Sequence, residues 1–525
     1  MNFKDLTEQD KKHAKKIYSN KDLTWDDRMK NLMEYFGKSE RTVRKWLVSL
    51  GIKEKSDKEP SVLKIAKTKK HDKTFKRFLI TSAQNATPVH AGFLKNLEVY
   101  ANHIKAEILV IPFRYHNPTS MWTEKDESQD WWDENVIKYL TLNRHDLNNS
   151  ISVLSDVKIQ PTAKNPLDGF ESITGDHSSV IGHPRVHLKT LPVLEGMKPK
   201  ILLSTGACTK KNYIESKAGK IGEFHHSFGA CIVELKDEDT FYARQIKAKE
   251  NGDFIDLFFK ISNGQVSKVD KIEALVMGDI HVAEVDKNIV DVTLNDLCKK
   301  LYPQKLFLHD IIDSRSISHH DLKDPFLLYE KEMQGKNLLQ KEIDEMLEWL
   351  EQVKDYNVYI VKSNHDEHID RFLSDTDWRK MTTLKNAVPY MELSMARLKG
   401  EAPNGVVPYI INKKFPKMKC LGHNDSCKVK GFELSVHGHV GASGSRGSLP
   451  QYRKLNTRII TGHSHQPMLL DGAMSVGTTS KLRMSYNKGA SAWLNCHAII
   501  NEFGKAQQII FIKDKEGKVG YTTFK

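Results

Sequence analysis

Five apolar runs in the second half of the chain each end in residues that can bind metal or move a proton. IEALVM runs into Gly278-Asp279-Ile280-His281, and KLFLH delivers Asp310, with Asp313 close behind. NVYIVKS delivers Asn364-His365-Asp366, FELSV delivers His437, and TRIIT delivers Gly462-His463-Ser464-His465. These are oxygen and imidazole donors without a thiolate, a mixture that suits Mn, Fe, Zn or Mg better than soft metals. Asp279 and His281, one residue apart at a strand end, can point at the same cation. Any one of these residues alone is more often a core or surface residue than a ligand, so the weight rests on the joint pattern. His439 is spare in this reading, because one ligand from its strand is enough. Arg315, His319 and His320 follow the Asp310 motif and are candidates to reach a phosphate. Cys420 and Cys427 flank His423, but that spacing is poor for zinc, and six scattered cysteines without a CxxC pair fit a reducing cytoplasm.

The runs themselves read as buried strands, and ligands at strand C-termini are where open α/β folds place their sites. The order D-x-H, D, N-H-D, H, G-H-x-H resembles the calcineurin-like metallophosphoesterase superfamily, across roughly residues 271–500. The resemblance implies a metallophosphoesterase β-sandwich flanked by helices over residues 271–525. It implies two divalent ions, with Mn the family-like choice and Mg, Fe or Zn as alternatives. One would be held by Asp279, His281 and His465, the other by Asn364, His437 and His463, with Asp310 bridging both. His365 would sit near the scissile phosphate and Asp366 would orient it. Two metals about 3.5–4 Å apart with a bridging hydroxide nucleophile would then hydrolyse a phosphodiester. Two departures mark a divergent member: His309 stands where the family has Gly before the bridging Asp, and Ser363 where it has Gly before Asn. Both are tolerable where the backbone does not need positive φ.

The rest of the chain bears on the substrate. The 525 residues carry a net charge of +13, with 39% hydrophobic and 28% charged residues, which describes a globular protein with a basic surplus. A length of this order suggests about three domains. No apolar run approaches the ~20 residues of a membrane span, and the first residues lack the apolar core of a secretory signal, so a cytoplasmic location is expected. Residues 1–60 read as a helix-turn-helix-like DNA-binding module. Leu32, Met33 and Phe36 face one way, Gly37 breaks the helix and Ser39 caps the next, which carries Val43, Trp46, Leu47 and Leu50. Arg41, Arg44 and Lys45 on that second helix are candidate DNA contacts. Residues 61–77 read as a lysine-rich linker, and 78–270 as an α/β region that opens with a β-α-β unit and whose role is open. A Gly/Ser-rich segment, 438–449, carries Arg446 and could bring backbone amides and a cation to phosphates.

Together these features favour a metal-dependent DNase in an α/β chain, with DNA as partner and a second copy or a partner protein as further candidates. The chemistry is similar to that of SbcD-type exonuclease subunits. The order of the parts looks more like the large DNases of tailed phages, which act in the host cytoplasm. A phosphatase or phosphodiesterase for a small or nucleotide substrate is the first alternative. A non-enzymatic DNA-binding regulator is the second, although a relic site should have lost one or more of Asp310, Asn364 or His465.

Overall fold

The computed structural model describes residues 3–20, 23, 25–52, 75–116, 131–319, 321, 324–381, 383–484 and 487–524. Of the expected linker, residues 61–74 lie outside these, as does His320.

The N-terminal segment is a unit of three helices, α1 (Glu8–Tyr18), α2 (Trp25–Phe36) and α3 (Glu40–Ser49). Thr7 and Asp10 form a capping box at the start of α1. Gly37, at φ 60°, ends α2 in the left-handed conformation that glycine adopts without steric cost. Ala14, Met29, Leu32, Phe36, Val43, Trp46 and Leu47 form one small core, so the expected helix pair has a third helix packed on it.

Beyond it the chain is mixed α/β with several sheets. The β-α-β unit is β1 (Arg77–Gln84), α4 (Ala91–Ile104) and β2 (Glu107–Phe113), with β1 and β2 parallel. There follow β3 (His145–Asn148), β4 (Ile151–Leu154), β5 (Ser178–Ile181), β6 (Leu188–Leu191), β7 (Lys200–Ser204), β8 (Gly229–Leu235) and β9 (Phe241–Lys247). The second half supplies β10 (Ala274–Val276), β11 (Leu306–His309), α5 (Leu339–Glu351), β12 (Val358–Val361) and α6 (Asn364–Asp375). It continues with β13 (Lys419–Leu421), β14 (Lys428–Val429), β15 (Phe432–Glu433), β16 (Arg458–Thr461), β17 (Met468–Leu470), β18 (Ala473–Ser475), β19 (Cys496–Ile500) and β20 (Ala506–Ile510).

Two sheets matter for the site. A six-stranded sheet runs β13-β12-β11-β10-β19-β20, and its strands β10 to β13 are parallel, so their C-terminal ends lie on one edge. A ten-stranded sheet runs β14-β15-β16-β18-β17-β6-β7-β5-β4-β3. Alternate residues of β11 face opposite ways, as the pleat requires. Phe307 enters a core shared with Ile460, Met474, Val476 and Leu203 of the ten-stranded sheet. Leu306 and Leu308 enter a second core with Met346, Leu350 and Ile369 of the helices.

The boundary expected at residue 270 is not a break in the sheets. β17 pairs antiparallel with β6, aligning Met468 with Lys189 and Leu469 with Leu188, so strands from both sides of the boundary form one ladder. Asp471, just past β17, fastens the same junction. Its carboxylate lies 2.9 Å from His187 Nε2, 3.3 Å from Arg185 Nη1 and 2.6 Å from Arg453 Nε. Among the described residues, no helix is long and apolar enough to cross a membrane.

Candidate metal centre

The site forms where the loops after β10, β11, β12, β15 and β16 converge. Asp279, His281, Asp310 and His465 are all buried, with donor atoms within 4.8 Å of one another. Asp310, His437 and His463 form a second such group. Asn364 joins this second group, its Oδ1 lying 3.0 Å from His463 Nδ1 and 3.2 Å from His437 Nε2. Asp310 belongs to both groups, with Oδ2 3.2 Å from His437 Nε2 and 3.6 Å from His281 Nε2. All seven residues expected to bind metal are thus brought together in the two expected sets.

Backbone geometry shows what the sequence must tolerate here. His281, Asp310, His463 and His465 have φ of 50°, 46°, 70° and 52°. Left-handed backbone costs a non-glycine residue about 1–3 kcal/mol and persists only where surrounding contacts hold it. Those contacts are main-chain bonds between the loops: His281 N–H to Asp310 O at 2.8 Å, Asp279 N–H to Gly477 O at 3.1 Å and Gly462 N–H to His437 O at 2.7 Å. Gly462 is required for a different reason, since a Cβ there would lie 2.1 Å from Asp279 Oδ1. The two departures from the family pattern fall where φ is not positive. His309 is the last residue of β11, and Ser363, at φ −118°, caps α6.

The donors fit divalent cations. Oδ1 of Asp279, Oδ1 of Asp310 and Nδ1 of His465 are buried without a hydrogen-bond partner, and buried polar atoms ordinarily have one. His281 and His465 point their Nε2 atoms at each other across 2.9 Å. Two imidazole nitrogens meet this way only if one is protonated or both offer lone pairs to a cation between them. Burial alone would neutralise Asp310, but the His437 and His365 imidazoles hold its carboxyl well below the usual range. Burial likewise opposes a charge on His281, yet Asp313 raises it to about 9. Burial pushes His463 and His309 down to about 4, aided by His437.

Asp313 and His309 are supporting residues that sequence reasoning did not place. Asp313 Oδ1 lies 3.1 Å from His281 Nδ1 and so fixes the ring whose other nitrogen faces the site. His309 is buried, with Nδ1 3.3 Å from His437 Nδ1. His497 accepts the Gly278 N–H at 3.0 Å and holds the turn that carries Asp279.

The expected pairing of Asp366 with His365 is replaced by another. Asp366 accepts the Ser363 N–H at 3.0 Å while Ser363 Oγ accepts the Asp366 N–H, so its carboxylate caps the helix. Burial pushes that carboxyl up to about 7. His365 instead bonds through Nδ1 to the carbonyl of Asp313 at 2.9 Å, with its ring 4.9 Å from that of His281.

The phosphate-contact candidates divide. Arg315 is bound to Glu284 at 2.8 Å, and His319 lies 2.8 Å from Arg371. Arg446 is exposed on an ordered turn in which Gly447 N–H bonds His439 O at 2.9 Å. Lys45 is exposed on α3, while the side chains of Arg41 and Arg44 lie outside the described residues.

No family model and no solved structure matches this chain. Over 464 residues it is 32% identical to "Protein A1" of Escherichia phage T5, covering 84% of this chain and 82% of the phage protein. The chain belongs to the T5 Protein A1 family. Coverage this wide extends into both halves of the chain, so the likeness to T5 Protein A1 spans most of each protein.

Proposed function

We propose that this member of the T5 Protein A1 family is a metal-dependent deoxyribonuclease of the calcineurin-like metallophosphoesterase type, acting in the cytoplasm of a phage-infected cell. The observation that carries the reading is the position of Asp310 between two complete donor sets, with His365 beside them. Two divalent cations, with Mn the choice that the resemblance to the metallophosphoesterases implies and Mg, Fe or Zn as alternatives, would supply Lewis acidity and a hydroxide nucleophile at neutral pH.

The chain's own residues do the rest. Asp310 sets the spacing of the two donor sets. Asp313 orients His281 through its carboxylate and His365 through its carbonyl. With Nδ1 donating to that carbonyl, neutral His365 keeps Nε2 as an acceptor, and when protonated it can give that proton to a departing oxygen. The +13 charge, the exposed Lys45 on α3 and the exposed Arg446 beside the site favour a polyanionic substrate over a small ester.

The test is a substrate panel. Protein stripped of metal and reloaded with Mn or Mg is given linear duplex, closed circular and single-stranded DNA, with a chromogenic phosphodiester alongside. Loss of DNA supports the reading, and survival of the circles identifies an exonuclease. Cleavage of the small ester with all DNA intact would replace it with a small-substrate phosphodiesterase.

A further inference from the structure

Beside the paired site lies a cluster that the mechanism does not use. Glu367 follows Asn364 by three residues, about one turn of α6. His423 stands in the loop after β13, and His439 lies two residues beyond His437. Their donor atoms all lie within 4.8 Å of one another. His423 Nε2 is 2.5 Å from Glu367 Oε1, and His439 Nε2 is 3.7 Å from Glu367 Oε2. Both ring nitrogens of His439 are buried and make no hydrogen bond. The His439 side chain is only partly buried, but ring nitrogens shielded from water in that state are costly unless something else takes a lone pair. The His423 loop is held in place, because Gly422 N–H bonds Asp425 Oδ2 at 2.7 Å and Ser435 Oγ bonds Asp425 O at 2.6 Å. The His439 ring is 5.3 Å from that of His437 and 5.9 Å from that of His463. Cys420 and Cys427 take no part in the cluster.

We propose that Glu367, His423 and His439 form a third divalent-cation site next to the Asn364–His437–His463 set. Two imidazoles and one carboxylate without a thiolate suit a first-row divalent cation such as Fe, Zn or Mn. Three protein donors leave coordination positions open to water or to a phosphate oxygen. The site stands on its own three donors and does not depend on the paired centre.

Metal counting separates the two claims. The full chain is stripped with chelator, dialysed against Mn and analysed by mass spectrometry. Wild type should hold three equivalents, His423→Ala and Glu367→Gln two each, and Asp310→Ala one. Electron paramagnetic resonance of Asp310→Ala should show the signal of a single uncoupled Mn, which the added His423→Ala change removes. Two equivalents in wild type, unchanged in both variants, would overturn the third site and leave the pair standing. One equivalent in wild type, lost in His423→Ala, would uphold the third site and overturn the pair.

Discussion

The ring of His365 is tied through Nδ1 to the backbone carbonyl of Asp313, 2.9 Å away, while the Asp313 side chain holds His281. One residue thus orients both His281 and the His365 ring that is proposed to move a proton. His365→Ala should keep both cations and lose turnover by about 10²–10⁴-fold, the usual range for a positioned acid or base. Asp366→Ala removes a helix cap and should lower stability by about 1 kcal/mol, with a smaller loss of kcat than His365→Ala. Equal kcat losses in the two variants would contradict the assignment.

His497 supplies a pH dependence. Burial pushes its imidazole down to about 3 from an ordinary 6.5, and its neutral Nδ1 accepts the Gly278 N–H. The unfolded chain binds this proton more readily than the folded one. Stability from this group is therefore complete above about pH 6.5 and is lost as pH falls toward 3. His183 and His226, also buried and pushed down to about 3, act in the same direction. Denaturant midpoints should fall between pH 6.5 and 4, and His497→Gln should flatten part of that slope. An unchanged slope would mean that His497 is not neutral in the fold.

Asp471 is the buried counter-charge for Arg185 and Arg453, and the hydrogen-bond partner of His187, where β6 meets β17. Asp471→Ala would leave buried cationic groups unpaired and should cost about 3–5 kcal/mol in chemical denaturation. A loss below about 1 kcal/mol would show that the ladder alone holds the junction.

The three N-terminal helices have a core of their own, so their removal is a clean test of the DNA-contact reading. Deleting residues 1–52 should weaken DNA binding and make log K less steeply dependent on log salt, by about 0.9 for each phosphate the helices neutralise. An unchanged slope would assign the helices to another partner.

Much of the site was legible because strand-end donors are local signals. GDIH, NHD and GHSH each place two or three functional atoms within four residues, and the apolar run before each marks its strand. The β-α-β unit and the break at Gly37 were legible for the same reason. The β6–β17 pairing was not, because it joins short strands about 280 residues apart, and neither strand carries a mark of its partner. The Glu367–His423–His439 cluster was hidden likewise, since 56 residues separate Glu367 from His423. The family resemblance implies that Asp366 orients His365, whereas Asp366 pairs with Ser363. At the start of a helix, a carboxylate three residues after a serine turns back to the cap instead.

Whether Asp310 organises two cations for cleavage of DNA is decided by one comparison. Wild type and Asp310→Ala, both stripped and reloaded with Mn, are incubated with linear duplex DNA while bound metal is counted. Wild type should degrade the DNA only with metal present, and Asp310→Ala should lose both the paired cations and the activity. Metal-independent degradation, or an Asp310→Ala protein that keeps full activity, would contradict the account.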